Sequence, residues 1–301
     1  MTKGGRKPSL FFVNRAAACG GEGDGLCALG PPNCLSRRLY LPERSREPVF
    51  NIPPVVLGMV VFLSAIQLVM EFALSNDAVE TVLEWFAFDP LRYSNSAMQA
   101  LGPLPGGLPA AVWTFVTYAF LHANFIHLGF NLIWLVAFGT PVARRFGTWR
   151  FLAFFVFTAA TGAFGHLLTH LGQNVPMIGA SAADLGMMAA ALRFVFQPGG
   201  PLGFLRLSEA ETYHVPAKPL GAMLRDRRTL LFVGVWFGMN ALLALPVFAM
   251  PGITEAVAWQ AHMGGFIGGL VAFTAFDPVV TEPVVGDAQA GAVEDPPRTE
   301  N

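Results

Sequence analysis

Charge is what this 301-residue chain has least of. Asp, Glu, Lys and Arg make up 13% of it, against roughly 25% in soluble domains. That shortfall argues against a soluble enzyme and against a disordered chain. Nor does one sign prevail: 19 basic and 20 acidic residues leave a net charge of -1, so no basic field exists to gather nucleic acid. Cysteine is scarce, with Cys19, Cys27 and Cys34 the only 3. Their number is odd and their spacing fits no common zinc pattern, which reads as free thiols in a reducing compartment. A secretory signal is missing too, since the apolar patch Leu10–Val13 is far too short for an h-region. No internal repeat is visible, and 32 Gly and 23 Pro follow no fibre period.

What the chain has is hydrocarbon. Hydrophobic residues make up 53% and mean hydropathy is +0.50. A helix crosses a bilayer in about 20 apolar residues. Six stretches qualify: Val55–Leu74, Trp113–Gly139, Phe151–Leu171, Val175–Phe196, Leu230–Met250 and Ala256–Phe276. The expected fold is therefore an all-α polytopic bundle of six transmembrane helices over residues 55–276. Before it lies an arm, 1–54, rich in Gly, Pro and Arg. After it lies an acidic, Pro-rich tail, 277–301. Of the 19 Lys and Arg, only Arg92 falls in a loop on one face; Arg298 is in the tail, and all others lie on the opposite face. The positive-inside rule then puts both termini in the cytoplasm. The loop Ser75–Val112 lies outside, and its Trp85, Phe86, Phe88 and Tyr93 suit either an interfacial element or irregular chain.

The informative residues are those that interrupt the spans, because polar groups at depth are costly and usually face the interior. The second span carries His122, His127 and Asn131, the fourth Ser181 and Asp184, and the sixth Gln260 and His262. Ser181 and His262 each lie six residues inside their spans, about 9 Å down if both are helical from the start. The two can meet if their helices are neighbours. Gly179-Ala180-Ser181-Ala182-Ala183, and Gly265 and Gly269 after His262, are small enough for backbones to approach closely. His127 and Asn131, four apart, share one helix face and both donate hydrogen bonds.

At these residues the sequence resembles the rhomboid family of intramembrane serine proteases. The matching pattern is His122-Ala-Asn-Phe-Ile-His127-Leu-Gly-Phe-Asn131, then Gly179-Ala180-Ser181-Ala182, then Ala261-His262 followed by Gly265 and Gly269. Three motifs in this order, on the right spans, are far more specific than any one alone. The resemblance implies Ser181 as nucleophile and His262 as general base and acid, a dyad with no third acid. It implies His127, Asn131 and the Ser181 N–H around the oxyanion, with His122 mainly structural and Gly179, Gly265 and Gly269 in support. No cofactor and no metal are implied. The expected partners are transmembrane protein substrates and the lipid bilayer, with no nucleic acid, and the expected place is the cell membrane, in a bacterium the inner one.

The sequence departs from the family at Leu185, where an aromatic residue four after the serine commonly packs on the imidazole. Leu91-Arg92-Tyr93 is a candidate for the family's arginine motif in the first loop, and the link 197–229 is longer than in compact members. Asp184, three residues after Ser181, is open to three readings: a structural bond, tuning of His262, or proton handling. His166 and His170 have a spacing that can bind zinc, but no further ligand is evident nearby. Two rival functions share the composition. A catalytically silent rhomboid-like protein would bind membrane clients without cutting them, although such proteins usually lack the serine or histidine. A transporter would relay protons through Asp184 and the histidines, yet transporters often show repeated halves.

Overall fold

In hydrocarbon a backbone N–H or C=O must find its partner within its own segment, so apolar runs in this chain become helices. The computed structural model describes residues 52–102, 104–203, 209–243 and 258–279. Nearly all of the expected arm, the three cysteines and nearly all of the expected tail lie outside these residues.

In chain order the helices are α1 (Pro54–Phe72), α2 (Asn76–Phe86), α3 (Asn95–Leu101), α4 (Gly107–Thr117), α5 (Phe125–Trp134), α6 (Thr140–Phe146), α7 (Thr148–His170), α8 (Ser181–Leu192), α9 (Glu209–Thr212), α10 (Leu220–Met223), α11 (Arg227–Leu243) and α12 (Trp259–Phe276). A π-helical turn, Leu135–Gly139, joins α5 to α6 in one rod, Phe125–Phe146. Among the described residues there is no strand, only an isolated antiparallel bridge between Phe88 and Met177. Among the described residues three helices are long and apolar enough to span a bilayer: Pro54–Phe72, Phe125–Phe146 and Thr148–His170. The protein is an all-helical, multi-pass membrane protein, and these three helices fit the six-span layout.

Local signals explain the ends. Pro54 opens α1, where its missing N–H costs nothing. Ser75 caps α2 by accepting from Ala78 N–H, with Asp77 in the first turn. Asn124 caps α5 by accepting from His127 N–H at 2.9 Å. That cap corrects one expectation. The stretch Trp113–Gly139 is not one helix. It breaks after α4 into a 3₁₀ turn, Tyr118–Phe120, and short extended chain, so His122 lies in the break rather than on a helix face.

A second correction concerns the fourth span. Helix was expected from Val175, but α8 begins at Ser181. The preceding residues run extended, tied to the first loop by the Phe88–Met177 bridge and to Tyr118 O by Gly179 N–H at 3.0 Å. The depth of Ser181 reckoned from a helical rise therefore does not apply. The loop before α4 is also ordered rather than irregular. Arg92, only 7% exposed, donates to Pro105 O at 2.6 Å and to Glu84 O. Burial pushes the Asp89 carboxyl beside it above the ordinary carboxylate range, against the pull of Leu91 N–H and Arg92.

The bundle is tightest where α7, α8 and α12 meet, and glycine is the reason. A Cβ on Gly265 would collide with Ala182 O, and one on Gly269 with Gly186. One on Gly264 would collide with Thr161 O, and one on Gly268 with the Thr161 side chain. Two adjacent glycine rows on α12 thus admit two neighbours at backbone distance, α8 on one side and α7 on the other. At the other end of α12, Asp277 takes a bidentate pair from the fully buried Arg145, with both bonds at 2.8 Å. Arg145 also donates to Tyr213 O and Val215 O. Its guanidinium lies 4.7 Å from the Phe194 ring.

Candidate active site

Ser181 is the first residue of α8. The first N–H groups of a helix have no partner within it, and the dipole there favours negative charge. The residues just before it need no room: Gly179 holds φ at +116°, and a Cβ there would stand 2.7 Å from His127 Nε2. The residue just after it, Ala182, is the one against which Gly265 packs.

That last contact brings α12 close enough for His262, in the first turn of α12, to reach the serine. His262 Nε2 and Ser181 Oγ are 2.8 Å apart, a hydrogen bond between residues 81 positions apart in the chain. The imidazole is 9% exposed. Its nearest described ring is Trp236 of α11, with centroids 6.4 Å apart and planes at 59°. The aromatic neighbour of the imidazole thus comes from a helix other than that of Leu185, which belongs to the same apolar cluster as Trp236. Nothing in the spacing of the sequence marks Trp236.

On the opposite side of Gly179 stand His127 and Asn131. Ala123 N–H donates to His127 Nδ1 at 3.4 Å, which leaves Nε2 as the protonated nitrogen, facing Gly179. Asn131 Nδ2 donates to His127 O at 2.8 Å and would stand 3.8 Å from a Cβ on Gly179. Both donors therefore border the chain that leads into the serine. His122 packs edge-on against the His127 ring, 5.3 Å between centroids.

The structure brings Ser181, His262, His127, Asn131 and Gly179 together, with Gly265 and Gly269 beneath them. Asp184 is not part of that group. It is 2% exposed, and neither carboxyl oxygen has a hydrogen-bond partner among the described residues. His166 turns its Nε2 to Val175 O at 3.0 Å, holding the extended segment ahead of Ser181. Tyr118 holds the same segment through its backbone carbonyl, which accepts from Gly179 N–H at 3.0 Å, while its hydroxyl anchors it to α7 at Ala159 O, 2.9 Å away. The sequence offered no sign of either positioning role.

With this geometry established, comparison with known proteins is informative. The family model for the Rhomboid domain matches residues 109–277, more than half of the chain. Rhomboid-like protein 6, mitochondrial, of Arabidopsis thaliana is 32% identical over 128 residues, 39% of this chain and 41% of that protein. Rhomboid protease GluP of Bacillus subtilis is 27% identical over 163 residues, 54% of this chain and 26% of that protein. Rhomboid protease GlpG of Haemophilus influenzae is 26% identical over 160 residues, 53% and 67% of the two chains. The match spans less than half the length of the first two of these relatives.

Proposed function

This chain belongs to the rhomboid family, and on that premise we propose that it is an intramembrane serine endopeptidase. The observation that carries the proposal is the 2.8 Å contact between His262 Nε2 and Ser181 Oγ at the start of a helix. A serine hydroxyl is a weak nucleophile until an adjacent base takes its proton. His262 accepts that proton as Oγ attacks the scissile carbonyl, then delivers it to the leaving amine. Water attacks the acyl-enzyme by the same route in reverse. Among the described residues no carboxylate pairs with His262, so packing rather than an acid orients the ring.

Negative charge develops on the carbonyl oxygen during attack. The N–H of Ser181 in the first turn of α8, the Asn131 amide and His127 Nε2 lie about Gly179 and serve as its donors. Such a donor contributes about 3–4 kcal/mol when preorganised. The substrates are membrane proteins. A peptide bond inside a regular transmembrane helix is shielded by its own hydrogen bonds, so cleavage falls where the helix unwinds easily, near residues such as Gly, Ala or Ser. The distribution of Lys and Arg supports cytoplasmic termini, which opens the site toward the outer leaflet of a cell membrane.

The purified protein, in detergent and in liposomes, is expected to cleave members of a panel of single-pass proteins and to react with a fluorophosphonate at Ser181. Ser181→Ala and His262→Ala are each expected to lower cleavage by about 10⁴-fold or more. Undiminished cleavage by either variant sinks the dyad. Client binding with no cleavage and no labelling would instead make the protein a silent binder.

A further inference from the structure

Far from Ser181, the rod Phe125–Phe146, the last turns of α8 and the start of α11 enclose a cavity of about 380 Å³. Ala191 and Leu192 in its wall lie ten and eleven residues along α8 from the serine, about 15 Å or more. Val136, Ala137 and Phe138 of the π turn form one side, and Phe232 of α11 faces them. A second apolar groove, lined by Leu132, Ile133, Val136 and Ala137, shares two of these residues. The two hollows therefore adjoin along the rod, on a face where Ile133 is 61% exposed.

The end of the channel farther along the rod is polar. Thr140 lines it, and its Oγ1 is buried with no hydrogen-bond partner among the described residues. Tyr213 lines it too, and the Arg144 guanidinium lies 4.8 Å from the centre of that ring. Arg144 comes three residues after Pro141, another wall residue, and so stands on the same face of the rod.

We infer that this channel binds a single acyl chain of an anionic phospholipid, whose phosphate rests on Arg144. The channel has the chemistry of such a molecule in the same order: apolar walls, a hydroxyl donor suited to an ester carbonyl, then a cation. Guanidinium has five N–H donors, so Arg144 serves a phosphate while keeping its protein contacts. Basic pockets between membrane helices recognise acidic head groups in this way. A substrate helix fits the channel poorly, because helices carry Lys and Arg at their cytoplasmic ends and would bring like charge to Arg144. A π turn widens the helix locally and often marks a functional position; here it forms the wall. The inference is independent of whether the chain cuts peptides.

Native mass spectrometry of the full-length protein, titrated with dioleoyl phosphatidylglycerol or dioleoyl phosphatidylcholine, tests it. The wild type is expected to retain one phosphatidylglycerol at least tenfold more tightly than phosphatidylcholine. Ala137→Trp, at an exposed position, should lose that lipid by filling the channel. Arg144→Gln should bind both lipids equally weakly. Equal retention of the two lipids by the wild type overturns the inference, as does undiminished phosphatidylglycerol on Ala137→Trp. A phosphatidylglycerol with a photoreactive acyl chain, used on the wild type, should label residues 132–141. Label found only on other helices marks annular lipid, and label displaced by a single-pass helix marks a substrate site; either result rejects the assignment.

Discussion

Two seams run along α8, and they are built from different materials. Toward α12 the contact is backbone on backbone, through Ala182 and Gly186 against Gly265 and Gly269, and toward α7 the Gly186 backbone rests on the Thr158 side chain. Toward α11 the contact is ring on side chain: Leu185, Met188, Ala189 and Leu192 share one apolar cluster with Trp236, with Phe232 and Phe237 packed against it. Gly234 and Gly238 of α11 face open space, so α11 uses no glycine to draw closer. The difference has a physical consequence. Backbone contacts have no rotamers and hold one distance, and on the first seam that distance is the one between Ser181 and His262. Rings and long side chains repack at small cost, so the second seam tolerates movement. The hydrogen bond belongs to the stiff side of the molecule, and the aromatic neighbour of His262 to the compliant one.

The largest test of this contrast attacks the far end of the stiff side. Asp277→Ala leaves the Arg145 guanidinium buried without its carboxylate and should destabilise the fold by about 3–5 kcal/mol. Thermal unfolding in detergent measures it, and a loss under 1 kcal/mol would show that the pair is not a pin. Next is Asn131→Ala, on α5. If its part is chemical, kcat falls by about 10²–10³-fold with KM and unfolding temperature nearly unchanged. A fall in stability alone would assign Asn131 to packing.

Gly265→Ala probes the stiff seam directly. The added methyl meets Ala182 O, and overpacking of this kind costs about 1–3 kcal/mol. Because the helices must part, cleavage should also fall, by up to about 10²-fold for 1 Å of displacement. The smallest effect is its counterpart on the compliant side. Gly238→Ala enters open space and should stabilise α11 by roughly 0.5–1 kcal/mol with cleavage unchanged. Equal outcomes for Gly265→Ala and Gly238→Ala would abolish the distinction between the seams.

Much of the site was legible because buried polarity in an apolar chain is conspicuous. Ser181, His262, His127 and Asn131 stood out as the groups a membrane span should not contain, and their order carried the family resemblance. Gly265 and Gly269 were legible from spacing, since i+3 and i+7 return to the face of His262. Gly264 and Gly268 were not, because the same small-residue pattern says nothing about a second neighbour. The start of α8 was misjudged for a definite reason. Val175, Met177 and Ile178 are as apolar as any helix, and tertiary contacts, the bridge from Met177 to Phe88 and the His166 contact to Val175 O among them, hold them in extended chain. Trp236 was invisible because an aromatic residue in a span has no periodicity that points to an imidazole on another helix.

Composition and spacing alone determined that this chain lives in a bilayer and which few polar side chains face its interior, since hydrocarbon penalises every unexplained donor and acceptor. Tertiary structure alone decided that the serine opens its helix, that two glycine rows set its distance from the histidine, and that a ring from α11 stands beside the imidazole. Those features depend on contacts between residues remote in the chain, and no local pattern encodes how closely two helices come to rest.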